Sequence, residues 1–539
     1  MPDYCTGDLW IRPTAKPMLP GMPMIEFSGG LWGLVAARAE ATPFAEMLVD
    51  EHGRALDFRA FRDAAERTAG WLAARGVGAG TPVTWRLPTT VEALVLTAAL
   101  ARVGAVQNPV MPVLGARELR FALVQTGARL LVSAATAEPG RDLAGEAWEA
   151  AEGLPGLDTV ILDGGLPEAE PLTGPSPLED DPVRWVFYTS GTTADPKGAR
   201  HTDSSVLASS RAMGERIACA PEDRVGMVFP VAHIGGCGTW LGACLLFGCT
   251  LILDAAFDVA RSTELQRREG VTLAGSGTVF IQAYLAEARR EQGAGRLFPQ
   301  VRAMTAGAAP KPPTLHAEVR KVLGGVGVLS GYGLTEAPIL AMGGPADPDD
   351  ALARTEGRAT RGVDLRVVNA EGRVLGPGEE GELRAKGPQV MRGYTDPALD
   401  AAAFDADGYL RTGDLARIDA DGHVTITGRL KDIVIRKGEN ISALAVEQAV
   451  AAHPEVAEVA VVALPDPARG ELACAVVVPV PGGPVPDLTA LTAFLADAEV
   501  PVRLWPERVE AVAALPRNAT GKILKAELTA RYAAAPAES

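Results

Sequence analysis

Between about residues 30 and 340, short apolar runs of strand length alternate with longer amphipathic stretches. VFYTSG at 186–191 reads as a strand entering a Gly/Thr loop, and VTLAGSG at 271–277 leads into the helical VFIQAYLAEARR. VRAMTAGAAP at 301–310 leads into LHAEVRKVL, and VGVLSGYGLTE at 326–336 ends another strand. This alternation predicts βαβ units and a mostly parallel, layered sheet. From about 350 to 430 short β runs are separated by Gly and Asp turns: LRVVNAEGRVL, GELRAKG and ARIDADGHVTITG. Asp421-Gly422 between two alternating runs predicts a two-residue type I′ hairpin, which needs positive φ at both central residues. The segment reads as a small antiparallel or barrel-like subdomain. After GRLKD at 428–432 come a helical run (ALAVEQAVAAH), two strands (VAEVAVVAL, LACAVVVPV), a Pro/Gly-rich loop and a further helix. These predict a compact α+β domain. The expected division is therefore 1–430 and 431–539.

Composition narrows the classes. At about 150 residues per domain, 539 residues make about three to four domains' worth of chain. A chain with 47% hydrophobic and 22% charged residues is not a disordered one. The net charge of −16 argues against nucleic acid or an anionic membrane surface as partner, so any polyanionic small ligand must meet locally placed positive charge. Six cysteines are too few for a disulfide scaffold. Cys237, Cys244 and Cys249 near His233 lack zinc-site spacing and are expected in the core. The apolar run Trp240 to Leu253 is about 14 residues, short of the ~20 that span a bilayer. MPDYCTGDLW shows no basic region followed by an apolar one, and PAES is no address signal, so a reduced cytoplasm is the expectation.

Five short motifs carry chemistry. Tyr188-Thr189-Ser190-Gly191-Thr192-Thr193-Ala194-Asp195-Pro196-Lys197-Gly198 sets hydroxyls, backbone donors and a lysine after a strand, which suits the phosphates of a nucleotide. It is not a Walker A loop, because Pro196 precedes Lys197. Gly331-Tyr332-Gly333-Leu334-Thr335-Glu336 puts an aromatic, a hydroxyl and a carboxylate at a strand end, able to stack a base, contact phosphate and hold Mg²⁺. The others are Tyr409-Leu410-Arg411-Thr412-Gly413-Asp414, then Gly428-Arg429-Leu430-Lys431-Asp432 with Arg436-Lys437-Gly438-Glu439-Asn440, and Pro516-Arg517-Asn518-Ala519-Thr520-Gly521-Lys522. Taken singly, each also reads as a polar turn or a solvated lysine.

In this order the five resemble the adenylate-forming superfamily: acyl- and aryl-CoA synthetases, peptide-synthetase adenylation domains and beetle luciferases. The resemblance runs from about residue 30 to 530. It implies an α/β fold with a large N-terminal domain of two layered, mostly parallel sheets, a small β-barrel-like subdomain and a small mobile α+β C-terminal domain. It also implies roles. Thr189, Ser190, Gly191, Thr192, Thr193 and Lys197 would hold the β- and γ-phosphates of ATP. Gly307, Ala308, Ala309 and Pro310 would border adenine, with Tyr332 stacked on it beside Gly333. Thr335 would contact the α-phosphate, Glu336 would hold Mg²⁺, and Asp414 and Arg429 would bind the ribose. Lys431 matches the pivot of the C-terminal domain, Lys522 the catalytic lysine, and Gly438 the loop lining the pantetheine tunnel. Two departures stand out: Ala194 where the phosphate loop usually has Gly, and Asp203 where a His is usual, the latter expected to alter the approach to the acyl pocket.

The chemistry explains the demand for these groups. A carboxylate becomes an acyl donor once it attacks the α-phosphate of ATP and expels pyrophosphate. Two anions must then meet, and a lysine between them offsets their repulsion and stabilises the transition state. A thiol must afterwards reach the acyl carbon, which a rotating C-terminal domain permits. His233, Ile234, Gly235 and Gly236 are expected to line the acyl pocket, with the small Gly235, Gly236, Gly275 and Gly277 leaving room for a bulky or long acyl group. The stretch between Met227 and Trp240 has no Asp to meet an ammonium group, which argues against an amino acid. The expected activity is an acid–thiol ligase using a small-molecule carboxylic acid, ATP, Mg²⁺ and coenzyme A. The alternative acceptor is a separate carrier protein, since the chain ends 17 residues past Lys522. A luciferase-like oxygenase and a non-catalytic scaffold are the remaining alternatives. The sequence leaves monomer and homodimer open.

Overall fold

The computed structural model describes residues 25–137, 140–176, 181–189, 196–275, 277–291, 296–307, 311–312, 314–437, 439–467, 469–517 and 523–533. Two large sheets dominate. One has six strands in the order Asp158–Leu162, Leu130–Ala134, Pro82–Arg86, Val106–Pro109, Val183–Thr189, Lys197–Thr202. Its pairs are parallel except the last, where Val183–Thr189 and Lys197–Thr202 run antiparallel. The other has nine strands, with a parallel centre: Val328–Leu334, Ala303–Ala306, Leu273–Gly275, Arg224–Met227, Thr250–Leu253 and Glu46–Val49. Antiparallel strands close its two edges. Strands covered on both faces read as continuous apolar runs, and Thr250–Leu253 is buried at all four positions.

The space between the sheets is filled by helices that are apolar nearly all round. Val91–Val103 buries eleven residues and ends at Gly104, whose φ of 74° supplies the left-handed cap. Its Leu94, Leu96 and Leu100 share one core with Trp85, Trp185, Leu241, Leu245 and Leu251. The apolar run from Trp240 forms the end of a π-helical segment, the helix Leu241–Phe247 and the strand Thr250–Leu253. Among the described residues no helix is long and apolar enough to cross a membrane. Cys219, Cys237, Cys244, Cys249 and Cys474 are buried and free, and no metal-ligand cluster occurs among the described residues.

The segment from about 350 to 430 forms a four-stranded antiparallel sheet of Asp364–Val368, Gly381–Lys386, Leu410–Ile418 and Val424–Arg429. The Asp421-Gly422 hairpin departs from the expected type I′ turn. Gly422 takes φ 84°, while Asp421 is not among the positive-φ residues. Gly422 N–H donates to the Asp419 carbonyl at 3.0 Å, and Asp419 Oδ1 accepts from the N–H groups of Asp421 and His423 at 2.9 Å each. This is a three-residue loop closed by one left-handed Gly. The Asp419 carboxylate satisfies the amides that a two-residue turn would pair across the ladder. Asp50/Gly53, Asn369/Gly372 and Asp405/Gly408 repeat the pattern, with φ near 80° at each Gly.

Beyond Arg429 lies a five-stranded sheet of Ile433–Arg436, Glu439–Ser442, Val456–Asp466, Gly470–Pro479 and Arg508–Ala511. Its alternate residues feed two cores. Val461 and Val477 face Val446 and Leu491, whereas Val462 and Val476 face Leu515 and Leu528.

Asp203 does not approach the cleft described below. Its carboxylate accepts from the Leu31 backbone N–H at 2.8 Å and from Trp185 Nε1 at 2.7 Å. It thereby clasps the first helix, Gly30–Ala41, to the six-stranded sheet, and a Cβ on Gly30 would lie 2.4 Å from Asp203 Oδ2. An Asp203→Ala variant leaves the fully buried Trp185 indole N–H without its acceptor. We predict a loss of about 1–3 kcal/mol, read as a lower denaturant midpoint at unchanged slope.

Candidate active site

The phosphate-loop motif is a hairpin between the last two strands of the six-stranded sheet. Thr189 pairs with Lys197 in register, and Ser190, Gly191, Thr192, Thr193 and Ala194 lie outside the described residues. The base of the hairpin is anchored. Tyr188 O–H donates to Gln125 Oε1 at 2.8 Å, and burial raises its pKa far above the ordinary value, so it stays a donor. Lys197 is exposed, with Nζ 5.5 Å from the centroid of the Tyr394 ring.

The second motif ends the strand Val328–Leu334 and turns sharply. A Cβ on Gly333 would meet Ile339 N at 2.5 Å, so the turn requires glycine there. His201, fully buried, bonds through Nε2 to the Thr335 carbonyl at 2.8 Å and through Nδ1 to Ser205 Oγ at 3.1 Å. A carbonyl only accepts, so Nε2 carries a proton. Desolvation lowers its pKa to about 4. Glu336 accepts from Tyr394 O–H through Oε1 at 2.7 Å. Among the described residues no cationic side chain pairs with Glu336. A half-buried carboxylate with one oxygen outside that bond is the hard donor that Mg²⁺ takes together with phosphate oxygens and water, so the site fits that ion.

Asp414 joins three strands. It is 3% exposed, sits opposite Arg429 in the ladder, and meets Arg429 Nε through Oδ1 at 3.0 Å. Its Oδ2 accepts from Tyr332 O–H at 2.7 Å. Burial first, and then the Asp414 charge, hold the Tyr332 phenol protonated. Each carboxylate oxygen keeps a further lone pair for a ligand hydroxyl. Gly307 packs close to this strand, since a Cβ there would lie 3.0 Å from the Gly331 carbonyl.

An apolar cleft adjoins these groups. Val110, Met111, Leu114, Phe187, Ala232 and Ile234 line it, together with Thr189, His233 and Thr335. The structure thus brings the phosphate-loop edge, His233, Ile234 and the Thr335 turn to one cavity, whereas Gly235 and Gly236 do not line it. His233 caps the π-helical segment Ile234–Trp240, its Nδ1 accepting from Gly235 N–H at 3.0 Å, and its ring stands edge-on to Phe229 at 4.8 Å. Burial lowers its pKa to about 4.

Two of the glycines, Gly236 and Gly275, have a different purpose from the one the sequence suggested. A Cβ on Gly236 would lie 2.6 Å from Val231 Cα, and one on Gly275, at φ 101°, 2.4 Å from the Thr305 carbonyl. At both positions the missing side chain admits neighbouring backbone, not a bulky acid. Lys431 is exposed in the short turn Leu430–Asp432 directly after Arg429. Ala308, Ala309, Pro310, Gly438 and Lys522 lie outside the described residues.

Sequence reasoning missed Gln125, His201 and Tyr394. His201 carried a local signal, since it faces inward in a strand whose flanking Arg200 does not. Gln125 and Tyr394 act across 63 and 58 residues of sequence, and no spacing rule reaches that far.

A family model described as AMP-binding enzyme matches residues 35–395, and one described as AMP-binding enzyme C-terminal domain matches 445–522. The medium-chain fatty-acid–CoA ligase of Escherichia coli (strain K12) is 30% identical over 521 residues, covering 92% of this chain and 90% of that protein. The feruloyl-CoA synthase of Amycolatopsis sp is 32% identical over 510 residues, covering 93% and 99%. The crystal structure of ATP-bound MatB from Rhodopseudomonas palustris superposes with a TM-score of 0.83 at 27% identity, covering 93% of this chain and 99% of that one.

The buried neutral histidine makes stability depend on pH. His201 titrates near 6.5 when unfolded and near 4 when folded. Its contribution is complete above pH 6.5 and is lost as pH falls through 4. We predict that His201→Gln, which can keep a donor and an acceptor, flattens the stability profile between pH 6.5 and 4 in denaturant titrations.

Proposed function

The chain belongs to the AMP-binding enzyme family of adenylate-forming enzymes and is an AMP-forming acyl-CoA synthetase; on that premise we propose which acids it takes and which residues do the work. The coarse reaction is ATP-dependent ligation of a carboxylic acid to coenzyme A through an acyl-adenylate. The acid is an apolar one, a bulky aliphatic, alicyclic or fatty carboxylate. Its chain lies in the cleft of Val110, Met111, Leu114, Phe187 and Ile234, and its carboxylate points toward Thr189 and Thr335. The support for this class is that lining, and not the glycines. His233, held neutral by burial, offers no charge to a second carboxylate on the substrate.

The nucleotide lies across the two large sheets' edges. Thr189, Ser190, Gly191, Thr192, Thr193 and Lys197 hold the β- and γ-phosphates. Tyr332 with Gly307, Ala308, Ala309 and Pro310 seats the adenine, and Asp414 with Arg429 takes the ribose. Thr335 contacts the α-phosphate. Glu336 holds Mg²⁺, which neutralises phosphate charge and orients the pyrophosphate leaving group. Lys522 bridges carboxylate and α-phosphate in the first half-reaction. We divide the chain at 430/431, where Lys431 is the pivot, and place Gly438 in the loop along the pantetheine path. Cores on either side of that point share no residue, which suits rigid rotation about it.

The observation that carries this reading is the convergence of Thr189, His233, Ile234 and Thr335 on one apolar cleft. A series of acids of graded length and bulk, assayed for thioester formation with coenzyme A and with a holo-carrier protein, tests it. Apolar acids with coenzyme A should react. A preference for short dicarboxylates, or transfer to the carrier alone, would contradict it. The two half-reactions should also separate. Lys522→Ala is expected to slow adenylate formation by at least ~10²–10³ while sparing thioester formation from supplied acyl-adenylate. Lys431→Pro, which restricts φ at the pivot, should do the reverse. Equal loss of both steps in both variants would refute domain rotation.

A further inference from the structure

The segment Met391–Thr395 touches both halves of the proposed nucleotide site. Along one side it is sewn to the outer strand of the six-stranded sheet. Arg392 N–H donates to the Arg200 carbonyl, Arg200 N–H to the Gly393 carbonyl, and Thr395 N–H to the Gly198 carbonyl, at 2.8–2.9 Å. At its start, Met391 N–H donates to the Glu336 carbonyl at 2.8 Å. At its end, Thr395 Oγ1 donates to Gln125 Oε1 at 2.6 Å, the same oxygen that takes Tyr188 O–H. Two glycines permit the fit. A Cβ on Gly198 would lie 2.8 Å from Thr395 Oγ1, and Gly393 adopts φ 94° against the Asp400 carboxylate, which also takes Tyr394 N–H at 2.8 Å.

Tyr394 occupies the middle of this brace. It is 6% exposed, its hydroxyl donates to Glu336 Oε1, and its ring face lies under the Lys197 ammonium. One side chain therefore touches the carboxylate assigned to the metal and the cation assigned to the phosphates. A carboxylate on a turn after a strand has free torsions. A buried O–H on one oxygen fixes its rotation and leaves the other oxygen for a ligand.

We infer that Tyr394 is a positioning residue that orients Glu336 toward the metal–nucleotide complex and holds Lys197 beside it. This rests on the reading of Glu336 as the magnesium carboxylate, and the test separates the two. Mn²⁺ is titrated into the full chain with a non-hydrolysable ATP analogue, and bound metal is read from the loss of the free-ion electron paramagnetic resonance signal. Glu336→Gln weakens Mn²⁺ binding. Tyr394→Phe, which keeps the ring and its contact with Lys197, weakens it by about tenfold, with unchanged thermal midpoint and unchanged metal-free analogue binding. The double variant binds no more weakly than Glu336→Gln alone. If Glu336→Gln weakens binding and Tyr394→Phe does not, the inference falls and the metal reading stands. If Glu336→Gln binds as the wild type does, both fall. Should Tyr394→Phe not fold, difluorotyrosine at position 394 replaces it, since it keeps the ring and changes the hydroxyl's acidity. A shift in Mn²⁺ affinity then supports the inference, and unaltered affinity overturns it.

Discussion

A single buried carboxylate, Asp414, is the constraint on which the proposed nucleotide site depends. At 3% exposure it would be costly if unpaired, and it is paired twice, with Arg429 across the ladder and with Tyr332 from the nine-stranded sheet. That arrangement fixes the aromatic ring, the guanidinium and the carboxylate relative to one another before any ligand arrives. It also docks the four-stranded antiparallel sheet onto the larger one. Arg429 is the last residue of its strand, and the turn carrying Lys431 follows at once. The proposed ribose clamp and the proposed pivot are thus two residues apart on one short piece of chain, so the proposed rotation of the C-terminal sheet would begin beside the proposed ribose site.

Electrostatics within the site is arranged by burial as much as by charge. The protein carries a net charge of −16, yet one of the groups assigned to phosphate, Lys197, is itself a cation. Lys197 stands exposed at a sheet edge, with an aromatic face beneath it. The histidines near the cleft are kept neutral by desolvation, so the apolar cavity gains no fixed cation that would bind a free carboxylate tightly at the wrong depth. On the proposed reading, the charge needed for the chemistry would arrive with the C-terminal domain and its lysine. Positive charge held permanently in the cleft would stabilise the bound acid as much as the transition state and would add nothing to the rate.

The elements were legible because their patterns are local. The apolar run VAEVAVVAL announces a strand covered on both faces, and Val456–Asp466 feeds two cores. The Thr335 and Asp414 motifs were legible for a different reason: each alone also reads as a polar turn, and the order of all five motifs carries the resemblance. What escaped was long-range or conformational. Asp203 looked like a change at the acyl pocket, but its partners are Leu31 and Trp185, the former 172 residues away. Gly236 and Gly275 looked like spare room until the carbonyl and backbone beside them were placed. The Asp421-Gly422 turn looked two residues long because the side chain of Asp419, which lengthens it, is silent in the hydrophobic pattern.

Adenylate formation at the Asp414 seat, ahead of and independent of the thiol, is the central claim. Exchange of labelled pyrophosphate into ATP, measured without coenzyme A, tests it most directly. The account predicts exchange that appears only when an apolar carboxylic acid is present. An acid that the enzyme converts to its coenzyme A thioester with no accompanying exchange would contradict it.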